Sequence, residues 1–162
     1  CCRRWCAMIN ITLKVNGEER ALSLPATRTL LAALRNDMKL TGSKNACNQG
    51  VCGACTVLLD GVPVNACLVL AANVAGREIV TIEGLGEGGK LSPMQQAFVD
   101  AGAIQCGFCM SGMIVSATAF LAENPKPSRK EIRQALSGNL CRCSGYVRVI
   151  DAVELAAGRS GA

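Results

Sequence analysis

Alternating apolar and polar residues open the chain and predict a β-hairpin. Residues 9–15 place an apolar side chain at every second position, the period of a strand with one buried face. Asn16-Gly17 suits the two positive-φ positions of a tight turn, and residues 20–24 follow as the second strand. The chain therefore begins with two paired strands, which end at Pro25.

Residues 26–82 add one main helix and three more strands to this pattern. Leu30, Leu34 and Met38 recur at intervals of four, which predicts a helix over Thr29–Lys39 that is closed by Gly42. The other predicted elements are a hairpin around Asp60-Gly61 with strands Thr56–Leu59 and Val62–Asn65, a short helix Leu68–Val74 and a strand Glu78–Ile82. Together they predict a small mixed sheet with a helix across it.

A glycine-rich stretch, Glu83–Lys90, separates this region from a helical second half. Ser92 and Ser128 are predicted helix caps, because a glutamine or glutamate three residues later completes a capping box. We predict helices at Ser92–Ala101, Gly112–Glu123, Ser128–Ser137 and Tyr146–Ala157. Four short helices joined by tight loops predict a four-helix bundle, so the fold class is α+β.

The composition departs from ordinary usage at two residue types. The chain has 162 residues, of which 11 are cysteines and none is histidine. Without imidazole it cannot supply a Ser-His-Asp or Cys-His nucleophile, a His-ligated catalytic zinc, a Rieske centre or a histidine proton shuttle. The chemistry of the chain is therefore expected to depend on sulfur.

The net charge of +5 does not indicate a nucleic-acid partner, because the basic residues are dispersed along the chain. Few aromatic side chains are available to stack on bases; they are Trp5, Phe98, Phe108, Phe120 and Tyr146. We therefore predict that the chain binds no nucleic acid.

Cysteine-rich chains are often secreted, but no export signal is evident here. The pair Arg3-Arg4 is not followed by the apolar segment of a signal peptide. Polar residues, glycine and proline interrupt the longest apolar stretch, Val57–Val74, so no membrane insertion is predicted. We predict a cytoplasmic location, with membrane association or export only through partner subunits. Dense cysteine in the cytoplasm typically indicates metal binding.

Four cysteines before the glycine-rich stretch have the spacing of a plant-type [2Fe-2S] site. The pattern C-x4-C-x2-C and a later fourth cysteine are formed by Cys47, Cys52, Cys55 and Cys67. Gly50 and Gly53 give the loop the backbone freedom to wrap around a cluster. They also leave amide N–H groups that can point at the cluster sulfurs and tune the potential.

Four more cysteines lie in the predicted inter-helix turns of the second half: Cys106, Cys109, Cys141 and Cys143. Both turns are expected at the same end of the bundle, where they can face each other. On spacing alone this second set suits a [2Fe-2S] cluster or a structural zinc ion with four thiolate ligands.

The three remaining cysteines, Cys1, Cys2 and Cys6, precede Met8, which suits a natural start. We therefore predict an N-terminal extension of unknown role over residues 1–7. The predicted organisation continues with a first domain over residues 8–84, a linker at 85–91 and a helical domain over 92–162.

Three motifs carry a family resemblance: C-N-Q-G-V-C-G-A-C-T-V before Cys67, then Q-C-G-F-C, then N-L-C-R-C-S-G-Y. In this order and spacing the chain resembles the small [2Fe-2S] iron-sulfur subunit of molybdenum hydroxylases. This family includes xanthine oxidase, bacterial carbon monoxide dehydrogenases and aldehyde oxidoreductases. The resemblance covers Met8–Ala157.

The resemblance implies a β-grasp, plant-type ferredoxin-like domain for the first cluster and a four-helix domain for the second. It implies a hetero-oligomeric oxidoreductase in which this chain has no catalytic residue and relays single electrons. The electrons would pass from the molybdenum-pterin cofactor of a large subunit, through two [2Fe-2S] clusters, to FAD in a medium subunit or to another acceptor. By position in the motifs, Gln105 matches a glutamine that hydrogen-bonds the pterin, and Cys143 matches the cluster ligand closest to it.

Two other functions are compatible with the residues: a free-standing ferredoxin-type electron carrier and a zinc-stabilised interaction module. An apolar fraction of 50% and a mean hydropathy of +0.29 favour surfaces buried against partners over an independent carrier. Colour separates the zinc module from the others, because zinc thiolates have no visible absorption and [2Fe-2S] clusters are red-brown.

Overall fold

The computed structural model describes residues 7–160, so Cys1, Cys2 and Cys6 of the predicted extension lie outside the described residues. The first half is a five-stranded sheet with strand order β2-β1-β5-β3-β4. Strands β1 to β5 are Met8–Val15, Glu18–Pro25, Thr56–Leu59, Val62–Asn65 and Glu78–Val80. β1 and β5 are parallel and the other neighbours are antiparallel, so the predicted mixed sheet is confirmed.

Both hairpins form at the predicted turn pairs. Asn16 and Gly17 have φ values of 53° and 81°, and Asp60 and Gly61 have values of 50° and 84°. These left-handed conformations suit glycine, asparagine and aspartate and match the right-handed twist of the flanking strands. The turn residues therefore fix the register of both hairpins.

The first helix is shorter than predicted and changes character along its length. Helix α1 spans Leu30–Ala32 and continues as a π-helical turn over Ala33–Asp37. The Thr29 side chain caps it by accepting the Ala32 N–H at 3.2 Å. Lys39 has a φ of 63°, and the N–H of Leu40 returns to the Leu34 carbonyl at 2.9 Å. This Schellman-type closure ends the helix before Gly42, so the predicted end was wrong.

Two predicted elements after β4 are also shorter than expected. Only Ala71–Val74 of the predicted helix Leu68–Val74 is helical, as a 3-10 turn, because the residues before it are paired elsewhere. The N–H of Leu30 donates to the Val69 carbonyl and the N–H of Ala71 to the Arg28 carbonyl. β5 ends at Val80 instead of Ile82, since the next backbone N–H, that of Thr81, donates to the Asn16 side chain at 2.9 Å.

The second half contains four helices close to the predicted ones. Helices α2 to α5 are Pro93–Asp100, Met110–Glu123, Arg129–Ala135 and Val147–Ser160. Both predicted capping boxes form, with Ser92 bonded to Gln95 and Ser128 to Glu131. Among residues 7–160 no helix is long and apolar enough to span a membrane.

Two clusters of buried side chains stabilise the molecule. The first lies between the sheet and α1, where Leu13, Leu34 and Ile79 are fully buried. The second lies among α2 to α5 around Phe98 and Met113. A smaller apolar contact joins the two halves of the chain, between β3 and α3, and its buried members are Leu58, Val115 and Ala119. Val115 is fully buried in this contact and contributes about 2 kcal/mol, so the contact helps to hold β3 against α3.

We expect alanine at Gly112 and at Gly158 to have opposite effects on stability. A Cβ at Gly112 in α3 would overlap the backbone carbonyl of Gly53, whereas a Cβ at Gly158 in α5 meets nothing within 4 Å. Overpacking against backbone should lower the free energy of unfolding of G112A by about 1–3 kcal/mol. Better helix propensity should raise that of G158A by up to about 1 kcal/mol. Urea unfolding measures both, and equal stabilities would contradict the packing.

Candidate metal centres

The first set of cysteines lies in one loop and at the end of one strand. Cys47, Cys52 and Cys55 lie between α1 and β3, and Cys67 follows β4. The loop reverses direction at residues with left-handed backbone, Asn48, Gly50 and Gly53, whose φ values are 53°, 72° and 68°. The two predicted glycines thus occupy positions that L side chains rarely adopt.

Within this first set the thiols lie in two pairs. The Cys52 thiol is close enough to Cys47 to affect the pKa of Cys47, and the Cys67 thiol is close enough to Cys55 to affect the pKa of Cys55. Backbone N–H groups, first that of Gln49 at 3.4 Å, lower the pKa of Cys47 to about 6. Burial raises the pKa of Cys55 to about 12. A bound metal would offset the cost of ionising the buried thiol, because the thiolate is the ligating form.

The second set lies in the two inter-helix turns, which the structure brings together. The Sγ atoms of Cys106 and Cys143 are 3.7 Å apart, and both residues are exposed. The thiols of Cys109 and Cys141 are in contact, and burial raises the pKa of Cys109 to about 12. The second set therefore also consists of two thiol pairs, one exposed and one more buried.

Residues after Cys141 support this second set and were missed by the sequence analysis. The Ser144 hydroxyl and N–H lie 3.2 and 3.3 Å from the Cys141 Sγ. Burial alone would raise the pKa of Cys141, but these hydrogen bonds lower it to about 7. The Tyr146 hydroxyl accepts the N–H of Cys141 at 2.9 Å, and Tyr146 itself has a φ of 66°. Both residues lie in the N-L-C-R-C-S-G-Y motif, but serine and tyrosine are not typical metal ligands, so the sequence alone did not single them out.

The loops that carry the two sets touch each other directly. The N–H of Leu140, next to Cys141, donates to the carbonyl of Cys52 at 2.9 Å. The side chain of Asn139 donates to the carbonyl of Gly53 at 3.1 Å. Cys52 of the first set is therefore linked by one backbone hydrogen bond to the residue that precedes Cys141 of the second set.

Gln105 lies beside Cys106 at the exposed side of the second set. Its side chain has no hydrogen-bond partner among residues 7–160. The Gln105 amide is therefore available to a group outside this chain.

Exposed apolar residues neighbour cysteines of both sets in the sequence. Val51 and Leu68 are 58% and 61% exposed beside Cys52 and Cys67. Phe108 and Leu140 are 47% and 49% exposed beside the second set. Exposed apolar residues beside a candidate redox site suit contact with another protein.

The donor groups fit [2Fe-2S] clusters. Two thiolates bound to one tetrahedral metal at about 2.3 Å lie about 3.8 Å apart, close to the Cys106–Cys143 separation. Each set has four cysteines, which is two thiolates for each of two irons. Among the described residues, 7–160, no three His, Cys, Asp or Glu side chains are arranged around one ion position.

Comparisons with known proteins identify both halves of the chain. Residues 13–78 match the 2Fe-2S iron-sulfur cluster binding domain family, and residues 81–154 match the [2Fe-2S] binding domain family. The chain is 51% identical over 153 residues to the nicotine 6-hydroxylase small subunit of Paenarthrobacter nicotinovorans, covering 94% of this chain and 92% of that protein. It is 48% identical over 151 residues to the nicotinate dehydrogenase small FeS subunit of Eubacterium barkeri, covering 93% and 96%.

A solved structure supports the same relationship. The fold is similar to a chain of quinoline 2-oxidoreductase from Pseudomonas putida 86, with a TM-score of 0.92 and 46% sequence identity. The match covers 95% of this chain and 96% of the other. The similarity therefore extends over both halves and over the loops that carry the cysteines.

Removal of the Ser144 hydroxyl should change the potential of a cluster bound by the second set. A hydrogen bond to a ligand sulfur stabilises the added electron, so S144A should lower the midpoint potential by roughly 40 mV, the equivalent of about 1 kcal/mol for one electron. Redox titration followed by EPR measures this shift. Ser137 is the matched control, because its hydroxyl donates to the Gln134 carbonyl at an exposed site. An unchanged potential in S144A would contradict the role of Ser144.

Proposed function

Because this chain belongs to the family of small iron-sulfur subunits of molybdenum hydroxylases, we propose that it connects a molybdenum-pterin subunit to a flavin subunit. The chain is an electron-transfer subunit of an oxidoreductase complex, as its relatives are. The observation that carries the finer proposal is the direct contact between the two cysteine loops. It gives the chain two redox sites in series, which a single-cluster carrier does not need.

The ligands in this proposal are the eight cysteines described above. In the first set, Cys47 and Cys52 would hold one iron and Cys55 and Cys67 the other, because the thiols are paired in this way. In the second set, the pairs would be Cys106 with Cys143 and Cys109 with Cys141. A bound [2Fe-2S] cluster takes up and releases one electron at a time.

The exposed apolar residues beside each cysteine set support one partner subunit at the first set and another at the second. Val51 and Leu68 would pack against the acceptor subunit, which we propose carries FAD. Phe108 and Leu140 would pack against the large subunit that carries the molybdenum-pterin cofactor. Apolar contacts at these sites exclude water from the redox groups and lower the cost of burying them in the complex.

Gln105 and Cys143 are the proposed contacts to the pterin. Both are exposed and lie on the outer side of the second set, and the Gln105 amide has no partner among residues 7–160. The amide can donate and accept hydrogen bonds with a pterin edge, which also carries donors and acceptors. The electron would therefore enter at the second set and leave at the first.

The finer description of the fold belongs to the same proposal. We assign the sheet and α1 to a β-grasp domain over residues 8–84, and α2 to α5 to a four-helix bundle over 92–162, with a linker at 85–91. The second family match begins at residue 81, and Ile82 and Leu85 pack against the helical core, which supports a boundary near these residues. A cytoplasmic location is proposed because its reducing conditions preserve free thiols.

The first test is EPR of the dithionite-reduced complex over a range of temperatures, with iron and sulfide quantified. We expect two distinct signals that integrate to about two spins, and roughly four irons per chain. One signal and two irons, with zinc in the second set, would overturn the relay. The variant C143S assigns the signals, because only the signal of the second set should be lost or altered.

A second prediction separates the two proposed docking faces. A charge placed on either apolar face should prevent burial against its partner, since an unpaired carboxylate is costly to desolvate. L68E should lower the FAD content of the purified complex and leave molybdenum unchanged. F108E should lower the molybdenum content and leave FAD unchanged.

The control for both variants is Val62, which is 59% exposed on β4 and lies beside none of the cysteines. V62E should retain both FAD and molybdenum. Loss of the same subunit from L68E and F108E would show that the two faces do not have separate partners.

A further inference from the structure

The side chain of Asn139 is a buried polar group that the relay described above does not use. Asn139 is 5% exposed and lies between α4 and Cys141. Its backbone N–H donates to the Leu136 carbonyl at 3.0 Å, so the residue is anchored to the end of α4. Its side-chain Nδ2 donates to the Gly53 carbonyl at 3.1 Å, across 86 residues of sequence. A buried amide is costly without such a partner, so this bond holds Asn139 in one position.

The acceptor of this hydrogen bond is held equally firmly. The Gly53 carbonyl also accepts the Thr56 N–H at 3.1 Å and the Thr56 hydroxyl at 2.7 Å. Gly53 has a φ of 68°, and a Cβ there would lie 2.5 Å from both the Asn139 Nδ2 and the Gly138 carbonyl oxygen. No side chain fits between the two loops. Gly53 therefore allows the close approach of the loops, and the Asn139 side chain bridges them.

This contact lies beside the two residues that link the sets. Asn139 precedes Leu140, whose N–H donates to the Cys52 carbonyl, and Gly53 follows Cys52. The two hydrogen bonds therefore run side by side between consecutive residues of each loop. A shift of Asn139 would move the link between Cys52 and Cys141 with it.

We propose that Asn139 is a positioning residue that fixes the distance between the two cysteine sets and thereby the rate at which an electron crosses between them. The proposal rests on the relay function above and goes beyond it, because Asn139 is neither a ligand nor in contact with a partner group. Electron tunnelling falls steeply with separation, so a small widening of this gap would slow the transfer. A residue that only stabilised the fold would leave that rate unchanged in the folded protein.

The decisive variant is N139D in the assembled complex. Aspartate has the same size, but its carboxylate cannot donate to the Gly53 carbonyl and would face it with a second acceptor. We expect loss or reduction of the magnetic splitting between the two clusters in EPR of the fully reduced complex. We also expect a several-fold slower electron transfer between the clusters in flash-photolysis measurements. Unchanged splitting and an unchanged rate would overturn the proposal, even if N139D unfolds more easily.

Two further variants keep the test falsifiable. N139S is neutral and too short to reach Gly53, and it replaces N139D if the aspartate variant does not assemble. T56V removes a donor to the same carbonyl at the start of β3, without touching the contact between the loops, so it should change the splitting less than N139D. An equal effect of T56V would show that the contact between the loops does not determine the splitting.

A matched control and the wild-type spectrum separate this proposal from the relay itself. Asn73 is exposed, its side chain has no hydrogen-bond partner among residues 7–160, and N73D makes the same chemical change. N73D should retain the wild-type splitting and rate. A wild-type complex with fewer than two cluster signals would refute the relay, whereas two signals with no response to N139D would refute only the role of Asn139.

Discussion

The contact of the Gly53 carbonyl with its neighbours is the constraint on which the arrangement of the molecule depends. Gly112 of α3 packs against this carbonyl, and Asn139 and Thr56 donate hydrogen bonds to it. The first cysteine loop is therefore pressed against both the start of α3 and the loop before Cys141. Glycine is required on both sides of the closest contact, since a Cβ at either position would overlap its neighbours. The sheet and the helices are therefore in contact beside the two cysteine sets.

The two cysteine sets are protected to different degrees. Cys55 and Cys67 of the first set are buried, whereas Cys106 and Cys143 of the second are exposed together with Gln105. The chain buries Cys109 of the second set but leaves Cys106 and Cys143 exposed. Such a surface suits a subunit whose redox group must come close to a cofactor held by another protein.

Local signals made much of this structure predictable. Turn pairs such as Asn16-Gly17 and the two capping boxes depend on residues a few positions apart, and each formed as expected. The features that sequence did not reveal depend on distant partners. β5 ends where the Thr81 N–H donates to the Asn16 side chain 65 residues away, and Asn139 finds its acceptor 86 residues away. No local pattern encodes a hydrogen bond over such a separation.

The distance in sequence between Gly53 and Asn139 has a consequence for synthesis of the chain. Domains generally fold as units as they leave the ribosome, the N-terminal part first. The sheet and α1 can form early, but the Asn139 donor to the Gly53 carbonyl becomes available only after α4 has emerged. The first cysteine loop thus reaches its final geometry late in translation, and a nascent chain that stops before residue 139 lacks the hydrogen bonds that close it.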